Sequence, residues 1–294
     1  GSLEGNLHIY WNNGDGTFSE LPGRFFGSYD SSCMPADLNG DGLTDILVTG
    51  YAGYGSGNGK EIFIYRNNGN RQFSLVPRAE CGFEGVDGAT PDVADVNGDG
   101  LPDILIGGHG SEHEITTWLY LNCGDFVFTQ MGGWYDDPFG KKFTFDRISN
   151  SHLIDYNNDN RLDAWTMGWA QASSCGKDCG ASLYTNTTSA ANKAPDAPAN
   201  LKVEYNAASG EFTFSWDAPE DDNTPKNALR YNLYLSKAGD DKAYMTIPAD
   251  IATGRLKVTE LAAAIATTRY SLTVPVEDAE YEWGVQAIDN GKAA

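Results

Sequence analysis

Oxygen-bearing side chains recur at every second residue from Asp95 through Asn97 to Asp99, the chain turns at Gly100, and a last carboxylate follows at Asp103. The same spacing returns as Asp37, Asn39, Asp41, Gly42 and Asp45, and again as Asp155, Asn157, Asp159, Asn160 and Asp163. Calcium takes about six to eight oxygen ligands in a flexible shell. Each stretch offers four side chains, at its first, third, fifth and ninth positions, plus the carbonyl of its seventh residue, Leu43, Leu101 or Arg161. The sixth position must bend sharply, which glycine allows and asparagine tolerates. Metal-free Asp/Asn/Gly turns are the alternative, since these residues dominate turns, but turns demand no carboxylate at a ninth position. An EF-hand is excluded, because it needs a glutamate at the twelfth position and helices on both sides. Val48, Ile106 and Thr166 stand there instead, inside strand-like runs.

The three loops start 58 and 60 residues apart, and a second element keeps step with them. It reads Leu7 to Asn13 around Tyr10, Ile62 to Asn68 around Tyr65, Thr117 to Cys123 around Tyr120, and Ala181 to Asn186 around Tyr184. A turn and a short aromatic strand follow the first three, at Phe18, Phe73 and Phe126 to Phe128. Alternating apolar residues bounded by Gly and Asn mark all of these as strands. Each unit therefore reads as four strands: one entering the acidic loop, one leaving it, a third around the tyrosine and a fourth around the phenylalanine.

Four short antiparallel strands per repeat of this length are the signature of a β-propeller blade. On the D-x-N-x-D-G-x-x-D loop followed by a buried strand, residues 3–190 resemble the FG-GAP/VCBS repeats, the calcium-bearing blades of integrin α-subunit propellers and of many bacterial surface proteins. The third copy departs from the motif at Asn160, where glycine is usual. The resemblance implies about three structural calcium ions, at Asp37, Asn39, Asp41, Leu43 and Asp45; at Asp95, Asn97, Asp99, Leu101 and Asp103; and at Asp155, Asn157, Asp159, Arg161 and Asp163. Two strands of one blade, two whole blades and three strands of another amount to about thirteen, short of the four or more blades of a closed ring. Gly1-Ser2 reads as a cloning remnant, so the expectation is a piece of a longer protein whose further blades complete the ring, with a second chain as the other way to complete it.

Residues 194–199 read as a linker, because Pro195 and Pro198 among small residues favour an extended path. From residue 200 to 294 the pattern changes to short alternating strands: Leu201 to Tyr205, Phe212 to Trp216, Tyr231 to Leu235, Tyr244 to Ile247, Tyr270 to Val274 and Tyr281 to Ala287. This resembles a fibronectin type III sandwich, with Trp216 on the second strand and Tyr281 placed as a tyrosine corner; the strand-borne cysteine pair of a true immunoglobulin domain is absent. Leu261 to Ala266 reads as an inserted helical turn. The fold class is thus all-β: a partial propeller, residues 1–193, followed by a sandwich. Open edges of either sheet system are expected routes to self-association.

A formal charge of -21 and a pI near 4.3 argue against nucleic-acid or anionic-membrane partners, which need basic patches. Nine of the 41 acidic residues sit in the three loops, so bound cations would offset part of that charge. No apolar run reaches the roughly 18 residues of a membrane span. The chain carries five cysteines; Cys175 and Cys179 suit either a small disulfide loop or a zinc half-site, while Cys33 and Cys81, set before acidic loops, read as buried thiols. A disulfide and weak calcium modules both point to an extracellular or cell-surface setting.

The loops and the Asn-Asn-Gly turns emerge on one face of the strands, and the longer irregular loops on the other. The latter carry Tyr54, His113, Trp134, Tyr135 and Trp169, aromatic and imidazole rings set among carboxylates. Such a mixture suits a glycan, by stacking on sugar faces, or the anchors of a protein interface; packing between blades is the plainer role for the Trp and Tyr rings. For an enzyme the signals are thin. His109, Glu112, His113 and Glu114 lack the H-E-x-x-H order, Asp136-Asp137 suggests no particular acid–base pair, and Lys141, Lys142 and Arg147 are the nearby basic cluster. The sequence therefore points to a binding or adhesion protein, with part of a polysaccharide-degrading enzyme as the alternative, resting on fold analogy alone.

Overall fold

The structure, a computed structural model, describes residues 5–13, 16–23, 25–51, 59–109, 115–131, 147–170, 178–188, 191–239, 243–245, 249–250, 252–257 and 265–294. The chain divides into two compact units. Gly1–Asn39, Leu43–Asn97 and Leu101–Ser189 form one; Gly40–Gly42, Gly98–Gly100 and Ala190–Ala294 form the other.

The first unit opens with four three-residue strands, β1 (Gly5–Leu7), β2 (Tyr10–Asn12), β3 (Phe18–Glu20) and β4 (Phe25–Gly27). β2 and β3 make a hairpin, while β1 pairs with β4. Two four-stranded antiparallel sheets follow. β5 (Tyr29–Ala36), β6 (Asp45–Tyr51), β7 (Lys60–Asn67) and β8 (Phe73–Val76) lie in sequence order. After a single helical turn, α1 (Arg78–Cys81), so do β9 (Asp87–Ala94), β10 (Asp103–His109), β11 (Ile115–Asn122) and β12 (Phe128–Met131). A three-stranded sheet of β13 (Arg147–Ile154), β14 (Asp163–Ala170) and β15 (Asp178–Tyr184) ends the unit. The described residues hold the expected two, four, four and three strands, with β1 and β4 in addition: the run expected around Tyr10 breaks between β1 and β2, and β4, absent from the expectation, pairs with β1.

Register shows why the sheets repeat. Ala36 pairs with Asp45, Ala94 with Asp103 and Ile154 with Asp163, so each acidic loop closes the same hairpin between first and second strands. The second strand is apolar on consecutive residues: Ile104, Leu105 and Ile106 are all buried. A strand covered on both faces loses the alternation that a half-exposed one shows. One cluster around Leu47, Ile64, Ile104 and Tyr120 fills the space between the two four-stranded sheets, and a second around Leu105, Leu119, Leu153 and Ala164 joins the later pair. Each buried aliphatic of this kind is worth about 1.5–3 kcal/mol. The first strands of the three larger sheets are neighbours, β5 against β9 and β9 against β13. Asp92 ties the latter pair, since its Oδ2 accepts the Leu153 amide at 2.7 Å.

Cys33 corrects an expectation. Serines 31 and 32 and Cys33 to Ala36 alternate in exposure along β5, and Cys33 falls on the exposed face of this first strand; Cys81, at the end of α1, is buried as expected.

Among the described residues the second unit has six strands: β16 (Ala199–Asn206), β17 (Glu211–Asp217), β18 (Arg230–Lys237), β19 (Ala243–Met245), β20 (Arg269–Thr273) and β21 (Tyr281–Ile288). They form two three-stranded sheets, β16-β17-β20 and β19-β18-β21. Phe212, Phe214 and Trp216 from the first and Tyr231, Leu233 and Leu235 from the second enter one core, as their alternation demands. Tyr281 does not make the expected corner. Its hydroxyl holds no backbone hydrogen bond, because the ring packs edge-on to Phe212 at 5.0 Å and beside Tyr244. The helical turn expected at 261–266 falls largely outside the described residues.

Candidate functional site

The ninth-position aspartates are the best-defined residues of the three loops. Asp45, Asp103 and Asp163 are completely buried, yet each is met by main-chain donors. Asp45 accepts the Leu38 amide at 3.0 Å through one oxygen and the Asn67 amide at 2.8 Å through the other. Asp103 repeats this with Val96 at 2.9 Å and Asn122 at 2.8 Å. Each carboxylate therefore pins the start of its loop to the end of the third strand. Every carboxylate oxygen has a second lone pair, so this role and metal coordination are compatible.

In the third loop Asp163 Oδ1 accepts the Asn186 amide at 2.8 Å, while the buried Oδ2 has only a loose approach from the Tyr156 amide, the counterpart of Leu38 and Val96, in place of a close hydrogen bond. Burial pushes this carboxyl up from its ordinary value, the Asn186 amide pulls it back, the Asp159 charge raises it, the nearby Tyr156 amide lowers it, and Asp155 raises it further. Around it the side chains fold back on their own backbone. The Asp159 amide donates to Asp155 Oδ1 at 3.1 Å and Asn157 Oδ1 at 2.9 Å, and the Asn160 amide donates to Asp155 Oδ2 at 3.1 Å. Arg161 places its guanidinium 3.3 Å from Asp159 Oδ2. Among the described residues no three His, Cys, Asp or Glu side chains converge closely enough to hold a metal ion. The donor set is nevertheless all hard oxygen, and a buried carboxylate oxygen without a close hydrogen bond, beside two further carboxylates, fits a hard divalent cation.

The bends are where the spacing puts them, with one position more than expected. Sixth-position Gly42, Gly100 and Asn160 have φ of 84, 86 and 61°, and fourth-position Gly40, Gly98 and Asn158 have 74, 78 and 60°. Two left-handed residues separated by one explain why Gly and Asn fill both places.

A further set of residues completes the loops: Asn67, Asn122 and Asn186, at the ends of β7 and β11 and just beyond β15. Each side-chain amide donates to the eighth-position carbonyl of its own loop, Thr44 at 3.1 Å, Pro102 at 3.0 Å and Leu162 at 3.1 Å. Each Oδ1 accepts the amide two residues on, at Gly69, Gly124 and Thr188. Asn122 and Asn186 also reach the preceding repeat, donating at 2.8 Å to the carbonyls of Leu38 and Val96, the second residues of the first and second loops. The acidic loops are thus stitched to one another by asparagines that look, in sequence, like ordinary turn residues. Their recurrence two residues after Tyr65, Tyr120 and Tyr184 was the available signal.

A model of the FG-GAP-like repeat matches residues 1–48, 37–106 and 95–166, more than half of the chain. The chain belongs to the FG-GAP-like repeat family. Each matched FG-GAP-like segment ends on a second strand, beyond an acidic loop, so the matches share the loops between them. A search of curated proteins found no match.

The expected ligand-facing residues cannot be placed beside these loops. Tyr54, His113, Trp134 and Tyr135 lie outside the described residues, as do Glu112, Glu114, Asp136, Asp137, Lys141, Lys142 and Cys175. Trp169 stands in β14 opposite Arg147 and Cys179, and the side chains of all three, with that of His109, are outside the description too. No helix among the described residues is long and apolar enough to cross a membrane.

Proposed function

We infer that this FG-GAP-like chain is a calcium-stabilised binding or adhesion protein of the extracellular space or cell surface, with propeller blades as its recognition scaffold. The observation that carries this reading is the thrice-repeated loop, whose buried ninth carboxylate fixes it to the sheet and whose fourth and sixth residues both bend the chain in the left-handed conformation. In this account calcium is structural: Asp37, Asn39, Asp41, Leu43 and Asp45, and their counterparts in the other loops, hold one ion each and relieve the crowding of nine carboxylates. Neighbouring first strands in β5, β9 and β13 support a radial, blade-like arrangement, and two three-stranded sheets around one core support a type III-like sandwich as spacer or second contact. The longer loops opposite the acidic ones, with Tyr54, His113, Trp134, Tyr135 and Trp169, are the recognition surface for a glycan or protein ligand.

The test is a glycan and polysaccharide binding screen in millimolar calcium and again with chelator, assaying product release in the same wells. Binding that needs calcium and releases no product is expected. Turnover would replace this reading with that of a polysaccharide-degrading enzyme, and binding indifferent to chelator would remove calcium from it.

A further inference from the structure

The first two complete repeats differ around their buried tyrosines, and a cavity lies beside the earlier one. In the later repeat Tyr120 receives the Glu84 amide on its hydroxyl, and Phe83 packs on Tyr120 at 5.0 Å and on Phe128 at 4.7 Å. The earlier repeat has the same skeleton: the Phe26 amide donates to the Tyr65 hydroxyl, and Phe25 packs on Tyr65 at 5.4 Å and on Phe73 at 6.3 Å. There the resemblance stops. Helix α1 and buried Cys81 lie in the ten residues between β8 and β9, whereas the eight residues between β3 and β5 hold the short β4 and, among those described, no helix. The hairpin turns match in backbone, with Arg71 at φ 62° where Phe126 has 63°. Phe126 is buried in the core of its repeat; Arg71 is exposed and lies over the Trp11 ring, 5.3 Å from its centre.

The space so left measures about 690 Å³, within the range of small-molecule sites. Leu21, Phe25, Tyr65 and Phe73 supply its apolar floor, and Asn70, Arg71 and Gln72 its exposed polar rim. Among the described residues no carboxylate lines it, on a chain with 41 acidic residues. Within the described lining, aromatic and aliphatic carbon below, neutral amides at the edge and the Arg71 guanidinium match a ring with an apolar C–H face, hydroxyls around it and a negative charge. We propose that this cavity is a binding site for a carboxylated pyranose, a uronic acid unit of an acidic glycan. The guanidinium pairs with the carboxylate, the amides of Asn70 and Gln72 take hydroxyls, and the sugar face lies on the aromatic floor. This assignment does not depend on the longer-loop surface.

The experiment is calorimetric or NMR titration of the whole chain, in calcium, with a tri-galacturonate and with its methyl ester, which keeps the rings and removes the charge. The acid is expected to bind at least about tenfold more tightly than the ester, as a charge-assisted bidentate contact requires. Arg71→Gln should abolish that preference. Arg71→Phe, which copies Phe126, should fill the cavity and remove binding of both sugars while the circular dichroism and melting temperature stay at or above the parent's. Equal affinity for acid and ester, no binding of either, or full binding by Arg71→Phe would each overturn the assignment.

Discussion

Asn122→Ala removes one side chain and with it three hydrogen bonds: to the Leu38 carbonyl at 2.8 Å, to the Pro102 carbonyl at 3.0 Å and from the Gly124 amide at 3.0 Å. The residue is 2% exposed, so the groups it leaves cannot all recover water. At about 0.5–1.5 kcal/mol per bond, with more where a partner stays buried and unpaired, the loss comes to about 2–4 kcal/mol. Asn67→Ala is the internal control, because its side chain makes the corresponding bonds to Thr44 and Gly69 within its own repeat; about 1–2 kcal/mol is expected there. For a unit of this size about 1 kcal/mol corresponds to roughly 2–4 °C. Asn122→Ala should therefore lower the melting transition of the first unit by about 5–10 °C and Asn67→Ala by about half as much. Differential scanning calorimetry resolves the transitions, and amide exchange at Val96 and Leu38 reports the loops directly. Equal losses from the two substitutions would refute the claim that Asn122 couples one repeat to the next.

Asp103→Asn keeps the shape of the ninth residue but turns an amide donor toward either the Val96 or the Asn122 N–H, so unfolding free energy should fall by about 2–4 kcal/mol in urea titration. Asn160→Ala, at φ 61°, should cost about 1 kcal/mol by the same measure while Asn160→Gly is neutral within a few tenths; equal behaviour would remove the left-handed constraint. Among the described free thiols, Cys33 and Cys123 should react with Ellman's reagent in the folded protein and Cys81 should not. Burial, helped by Glu80, pushes the Cys81 thiol up to about 11 from 9.0. The folded chain thus holds that proton more tightly than the unfolded one. The resulting stabilisation is full below pH 9.0 and is lost as pH rises through about 11, which a Cys81→Ser comparison of stability against pH would reveal.

Much of this architecture is written in side-chain period. The acidic loops, the tyrosine strands and the buried runs after Asp45 and Asp103 follow from spacing and polarity, because a closed hairpin between two buried strands leaves few other solutions. What spacing could not show was hydrogen-bond destination. Asn67, Asn122 and Asn186 carry the same letter as any turn residue, and their reach to another repeat depends on which sheet lies beside which. Cys33 misled for a related reason: β5 alternates in exposure, and alternation alone does not say which parity meets the core. The ninth aspartates were read as metal ligands, and their main-chain hydrogen bonds add a second duty that a motif cannot reveal.

The central claim is that three acidic loops each hold a calcium ion, and isothermal titration of calcium into chelator-treated protein tests it most directly. The account predicts about three equivalents at micromolar to millimolar affinity, one of them lost in each of Asp41→Ala, Asp99→Ala and Asp159→Ala, with a matching fall in the calcium-dependent melting temperature. No heat of binding and an unchanged melting temperature with and without chelator would contradict it.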